Sequence, residues 1–244
     1  MLQGLFNYDN PVWRFIGKLG DLILLNILWI ICSIPVFTIG ASTTAVYYVT
    51  LKLARDEDDS TIRSFFRSFK NNFKQATAIW LILLAAGLVL SVDFWFFYQR
   101  TDGPWRYVKD SSHRCVRGML LIYMFILTYV FPLQARFYNP VKRTIMNAFF
   151  MSVRHLLQTI GILVIDAGMV AASYFSLFYL PQASMLLMLF GMPLIAFVNS
   201  YFFYHDFKKY IPKEDEDKVH SDSTPMLGEE DEAMKKAIEN LKSR

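Results

Sequence analysis

Two aspartates interrupt long apolar stretches of this 244-residue chain: Asp93 near the end of 77–98, and Asp166 within 157–180. An ionisable side chain in such a setting is costly to place, so it marks a functional candidate. Asp166 sits beside Gly161, Ala167, Gly168, Ala171 and Ala172, small residues that let helices approach closely. Its chemistry is that of an anchor for a partner helix, a proton or substrate site, or a carboxyl hydrogen-bonded within a bundle. Asp93, flanked by Phe94, Trp95, Phe96 and Phe97, belongs nearer headgroup water. Asn26 and Asn199 read as polar residues joining apolar helices. The four histidines do not cluster, and His113 with Cys115 has no second pair at ligand spacing, so no metal site is indicated. H-E-x-x-H, G-x-S-x-G and the phosphate-binding G-x-x-x-x-G-K-[ST] are all missing. The expectation is a protein with no catalytic residues and no cofactor.

The elements that must position these groups are membrane helices. The composition is 54% hydrophobic with mean hydropathy +0.29, and the apolar residues gather in blocks instead of recurring at core periodicity. That pattern gives an all-α, polytopic membrane helix bundle. A net charge of +4 is too small and dispersed for nucleic-acid binding and suits an anionic lipid face. Cys32 and Cys115 give no disulfide framework. The first apolar run is too long for a cleavable signal.

Taken in order, the spans fall at about 15–34, 39–54, 77–98, 118–135, 157–180 and 183–204. Leu22 to Leu51 is uncharged and too long for one helix, and Ile34-Pro35 and Gly40 break it, because proline removes a donor and restricts its predecessor. The second piece either crosses or only enters the interface. Between 60 and 75, Ile62, Phe65, Phe66, Phe69 and Phe73 alternate at helical spacing with Arg63, Arg67, Lys70 and Lys74. This predicts a helix lying in the interface, aromatic face toward acyl chains and cations toward anionic headgroups. A second such helix spans about 140–156, opened by Asn139-Pro140, with Val141, Ile145, Ala148, Phe149, Ser152 and Leu156 on one face. Asp102-Gly103-Pro104 marks a turn in the polar connection 99–117. With six spans, 20 of the 25 Lys and Arg share one side, which the positive-inside rule makes cytoplasmic together with both termini. With five spans the split is 18 to 7 and the N-terminus is outside; six is preferred. Residues 211–244 form a charged cytoplasmic tail in which 229–242 has helical character, with acids before lysines.

Phe65-Phe66-Arg67-Ser68-Phe69-Lys70 has an echo in Phe149-Phe150-Met151-Ser152-Val153-Arg154, for which convergent composition of two interfacial helices is preferred over duplication. Phe6-Asn7-Tyr8-Asp9-Asn10-Pro11, Ile34-Pro35-Val36-Phe37-Thr38-Ile39-Gly40-Ala41-Ser42, and Tyr129-Val130-Phe131-Pro132-Leu133-Gln134-Ala135-Arg136-Phe137 resemble hallmarks of the YesL family of small bacterial membrane proteins. The similarity runs through about residues 1–210. The resemblance implies a protein encoded beside carbohydrate ABC importers and glycan-degrading enzymes in Firmicutes, and it supplies no catalytic residues. It suggests an accessory subunit in the bacterial cell membrane that binds the importer's permease subunits, and by extension its ATPase. Asp166, Asp93, Asn199, Arg63, Arg67 and Lys70 are the candidate partner-contact or intramembrane polar residues. The alternative is a small independent transporter or channel using Asp166.

Overall fold

Proline at position 35 and the threonine three residues later decide the first third of the architecture. A computed structural model describes residues 11–57, 60–99, 106–137 and 139–207. Residues 1–204 form one compact unit and 205–244 a second, of which only the last residues of the final helix are described. The 1–10 hallmark, the 102–104 turn and the tail beyond 207 lie outside the described residues. Helix α1 (Pro11–Ser33) stops just before Ile34-Pro35, and a single 3-10 turn (Val36–Thr38) reverses the chain into α2 (Ile39–Leu53). The Thr38 hydroxyl reaches the carbonyls of Cys32 and Pro35, both at 2.6 Å, serving groups that the end of α1 leaves open. Ser33 and Ser42 bridge the hairpin at 2.6 Å, and Trp29 Nε1 donates to Thr43 Oγ1 at 3.2 Å.

Gly40 is not part of the break. It lies inside α2, where a Cβ would stand 2.5 Å from both Ala76 O and Trp80 Cβ of α3 (Thr61–Gln99), so its role is close approach of two helices. Eleven of the 15 residues of α2 are buried, which makes this short helix the centre of the unit. It packs against α3 above all, and also against α1 and α4 (Arg106–Arg136).

The hairpin lies beside a defined half of α3. At its open end Thr61 Oγ1 donates to Asp21 Oδ1 at 2.6 Å, and Lys18 pairs with Asp56 at 2.6 Å. At its tip Trp80 Nε1 donates to the Val36 carbonyl at 2.8 Å. The 61–80 half of α3 therefore carries the hairpin. The apolar continuation meets α4, where Gly87 adjoins the Tyr123 ring.

An interfacial helix followed by a separate span was expected at 60–98, yet α3 is one uninterrupted helix. Its inner face explains this. Thr61, Ser64, Phe65, Ser68 and Ala76 are buried, so the segment docks on protein along its length and leaves Ile62 and Phe66 outward. Only at 140–180 does the expected division occur: α5 (Val141–Arg154) and α6 (Leu156–Tyr179) part at His155, whose φ of −109° and ψ of 45° are not helical. The sequence echo is thus not a structural copy, although Ser68 and Ser152 are both buried.

Helix α7 (Pro181–Phe207) also departs from the expectation of a plain span. It is broken at Gly191 (φ 40°, ψ −133°), with Pro193 two residues on. Among the described residues, four helices contain stretches long and apolar enough to cross a membrane, Phe15–Ser33, Thr61–Phe96, Arg114–Arg136 and Leu156–Tyr179, with Met188–Tyr204 a shorter one. At 1.5 Å per residue α2 is about 22 Å long, less than a hydrocarbon core of about 30 Å.

Candidate functional site

Beyond the α1–α2 hairpin, polar side chains among the described residues of the bundle gather at three further places, each where the sequence breaks a helix or inserts a group that apolar packing cannot satisfy. The first is the break in α7. Proline 193 has no N–H to give the carbonyl four residues back, Leu189 O, and the non-helical Gly191 frees Met188 O as well. Asn26 of α1, 4% exposed, donates through Nδ2 to both carbonyls, at 2.8 Å to Met188 O and 2.9 Å to Leu189 O. A Cβ on residue 191 would lie 2.5 Å from Asn26 Oδ1, so both the positive φ and the close approach require glycine there. Sequence reasoning had Asn26 as a helix-joining residue but missed the break it serves; Gly191-Met192-Pro193 was the available signal.

The second is a knot around Gln134, which is buried on α4. Its Nε2 donates to Gln75 Oε1 at 2.8 Å and Asn72 Oδ1 at 3.2 Å on α3, while Thr144 of α5 donates to its Oε1 at 3.2 Å. One amide thus joins three helices with its donor and acceptor both used. The knot accounts for the glutamine of the second hallmark and for the polar interruptions Asn72 and Gln75.

The third contains the predicted candidates. Asp166 of α6 accepts from Asn199 Nδ2 of α7 at 2.8 Å. The Tyr47 hydroxyl of α2, wholly buried, lies within the field of Asp166 and in hydrogen-bonding reach of Asn199. Nearby, Phe203 stands edge-on to both Tyr129 (5.1 Å between centroids) and Tyr47 (6.1 Å), and Ser200 Oγ donates to Thr50 Oγ1 at 2.9 Å. Thr159 Oγ1 is 2.8 Å from Ser152 O and 3.2 Å from the Tyr129 hydroxyl, and so serves the α5–α6 break. Gln158 Nε2 gives α6 a further tie, to Phe202 O at 3.0 Å.

Asp166 does not share a face with the small residues beside it in sequence. It turns inward with Thr159 and Ile162, whereas Ala167, Gly168, Ala171 and Ala172 are exposed, and a Cβ on Gly161 or Gly168 would meet nothing. Asp93 is far from this centre in the chain, half-exposed among exposed Phe94, Trp95 and Phe96. Arg63 and Lys70 are exposed on the first turns of α3 and Arg67 is half-exposed, all away from the buried Ser64–Phe65–Ser68 face. Among the described residues no group of His, Cys, Asp or Glu is placed to hold a metal ion.

Residues 22–94, most of α1 with α2 and the greater part of α3, match the family model described as "Protein of unknown function, DUF624". The chain is similar to three proteins of Bacillus subtilis (strain 168), each described as uncharacterized. It is 29% identical to YesV over 189 residues, covering 76% of this chain and 86% of the relative. It is 27% identical to YesL over 156 residues, 62% and 70% of the two chains. It is 23% identical to YteU over 177 residues, 72% and 70%. No solved structure matches. The matched segment contains the Pro35 turn, the Gly40 contact and the Trp80 hydrogen bond, the features that build the hairpin. On its sequence, the chain is similar to YesL, YesV and YteU over most of its length and matches the DUF624 model over residues 22–94.

Proposed function

We propose that the chain is a non-enzymatic integral membrane subunit that binds the permease pair of a carbohydrate ABC importer and supports its assembly or regulation. The observation that carries a partner-binding role is the face of α6. Only Thr159, Ile162 and Ser176 of its 24 residues are buried. Gly161 and Gly168, residues that permit close helix contact, have open space where Gly40 has another helix. A small-residue face unused within its own bundle suits a membrane helix of another chain. The importer as the source of that helix rests on the family resemblance. Asp166, tied to Asn199 inside the bundle, gives less support to the alternative of an independent channel.

In this reading the protein resides in the bacterial cell membrane with both ends cytoplasmic. The α1–α2 hairpin enters and returns by the cytoplasmic face, its tip reaching only the level of Trp80, near the start of the long apolar part of α3. Arg63, Arg67 and Lys70 then lie on that face, available to anionic lipid, permease loops or the ATPase. The test is a strain lacking the chain. Permease levels and sugar uptake should both fall and be restored by the wild-type copy; normal assembly and uptake would overturn the proposal.

A further inference from the structure

We propose that Asp166 and Asn199 form a proton-binding site, in which a protonated aspartyl carboxyl and the asparagine amide close a ring of two hydrogen bonds. Half of that ring is present: Asn199 Nδ2 donates to Asp166 Oδ1 at 2.8 Å. The other half is marked by an orphan. Asn199 is 1% exposed and its Oδ1 is a buried acceptor without a hydrogen-bond partner. Leaving such an acceptor unpaired is unfavourable, and an ionised carboxylate cannot relieve it because it has no hydrogen to give. A proton on the free Asp166 oxygen supplies a donor for it, beside the Tyr47 hydroxyl that is in reach of the same amide, and a carboxyl and an amide offer matching donor and acceptor to one another.

The surroundings favour a proton over a cationic side chain. Asp166 lies ten residues into α6, about 15 Å from its start, at a depth where an uncompensated charge is most costly. Among the described residues, the groups that act on its carboxyl are Asn199 from α7 and, through its hydroxyl, Tyr47 from α2. On α6 itself the inward neighbours are Thr159 and Ile162. His155 and the Tyr129 hydroxyl of α4 belong to the Thr159 contacts two turns away. Binding adds one proton to one carboxylate oxygen and forms the O–H to Asn199 Oδ1; release returns the proton to water and leaves a charge facing a lone acceptor. That release removes one of two hydrogen bonds between Asp166 of α6 and Asn199 of α7, while the bond from Asn199 Nδ2 stays, now to a charged acceptor. Proton occupancy thereby sets whether one or two hydrogen bonds join α6 to α7 at this level.

The test is difference infrared spectroscopy of the full chain in lipid nanodiscs at neutral pH, wild type against Asp166→Asn. A protonated-carboxyl C=O band that shifts in D2O should be present in the wild type and lost in the variant, and Asp93→Asn should leave it in place. Asn199→Leu should keep the band and move it to higher frequency, since its acceptor is gone. Loss of ionised-carboxylate bands in Asp166→Asn, or an unmoved band in Asn199→Leu, would overturn the proposal. Should Asp166→Asn fail to fold, 13C-aspartate labelling of the wild type and Asn199→Leu reads the same band.

Discussion

Substituting Asn26 by alanine removes the side chain that serves the α7 break among the described residues, and the cost can be worked from the two bonds lost. Met188 O and Leu189 O accept at 2.8 and 2.9 Å from one amide. Neither regains a helical donor: residue 193 is proline, and the backbone at Gly191 points away from the helical path. A fully buried acceptor stripped of its partner costs about 1–3 kcal/mol, and Met188 and Leu189 are themselves exposed, so the pair should cost at most about 2–6 kcal/mol. Equilibrium unfolding in mixed micelles measures this directly, followed by helix content and Trp fluorescence. The same experiment in a Pro193→Ala background separates the mechanism from general damage. There residue 193 gains an N–H that can reach Leu189 O once glycine 191 turns helical, so the Asn26→Ala penalty should shrink by about 1 kcal/mol. A penalty below about 0.5 kcal/mol, well under that of even one orphaned carbonyl, would refute the reasoning, as would a large penalty indifferent to residue 193.

Three further outcomes follow from other contacts. Gly40→Ala places a Cβ 2.5 Å from the Ala76 carbonyl, which is backbone and cannot rotate away, so it should destabilise by about 1–3 kcal/mol in the same unfolding assay. Gln134→Leu leaves Asn72, Gln75 and Thr144 without their shared amide and should loosen α5 from α3 and α4, read as faster amide hydrogen exchange over 141–154. Phe37→Cys, in a background with Cys32 and Cys115 changed to Ser, should resist a membrane-impermeant thiol reagent applied from outside the cell if the hairpin returns to the cytoplasmic face as proposed; labelling there would mean α2 crosses completely.

Much of the architecture was legible because its causes are local. Ile34-Pro35 ends one helix wherever it stands, and apolar blocks of bilayer length announce themselves without a partner. The α5 boundary was readable from Asn139-Pro140 for the same reason. What escaped depends on neighbours distant in sequence. Arg63, Arg67 and Lys70 with their interleaved phenylalanines read as a free interfacial helix, and nothing local says that Phe65 and Ser68 are claimed by α2 and its surroundings. The glycine at 40 looked like a breaker because its effect on chain direction is intrinsic, whereas its real use requires Ala76 and Trp80 opposite it. Asp166 and Asn199 were each recognisable as polar residues in apolar helices, but 33 positions separate them and only the fold pairs them. Tyr47 gave no signal at all, since a tyrosine in an apolar helix ordinarily reads as part of an interface belt.

A partner-binding role is read by purifying a tagged copy from its own cells in a mild detergent and identifying what accompanies it. The prediction is that both permease subunits of one carbohydrate ABC importer elute with it in near-equal amounts, and that Gly168→Leu, which fills the open face of α6, releases them while the variant remains folded. Elution of the chain alone, from cells in which that importer is made and assembled, would contradict it.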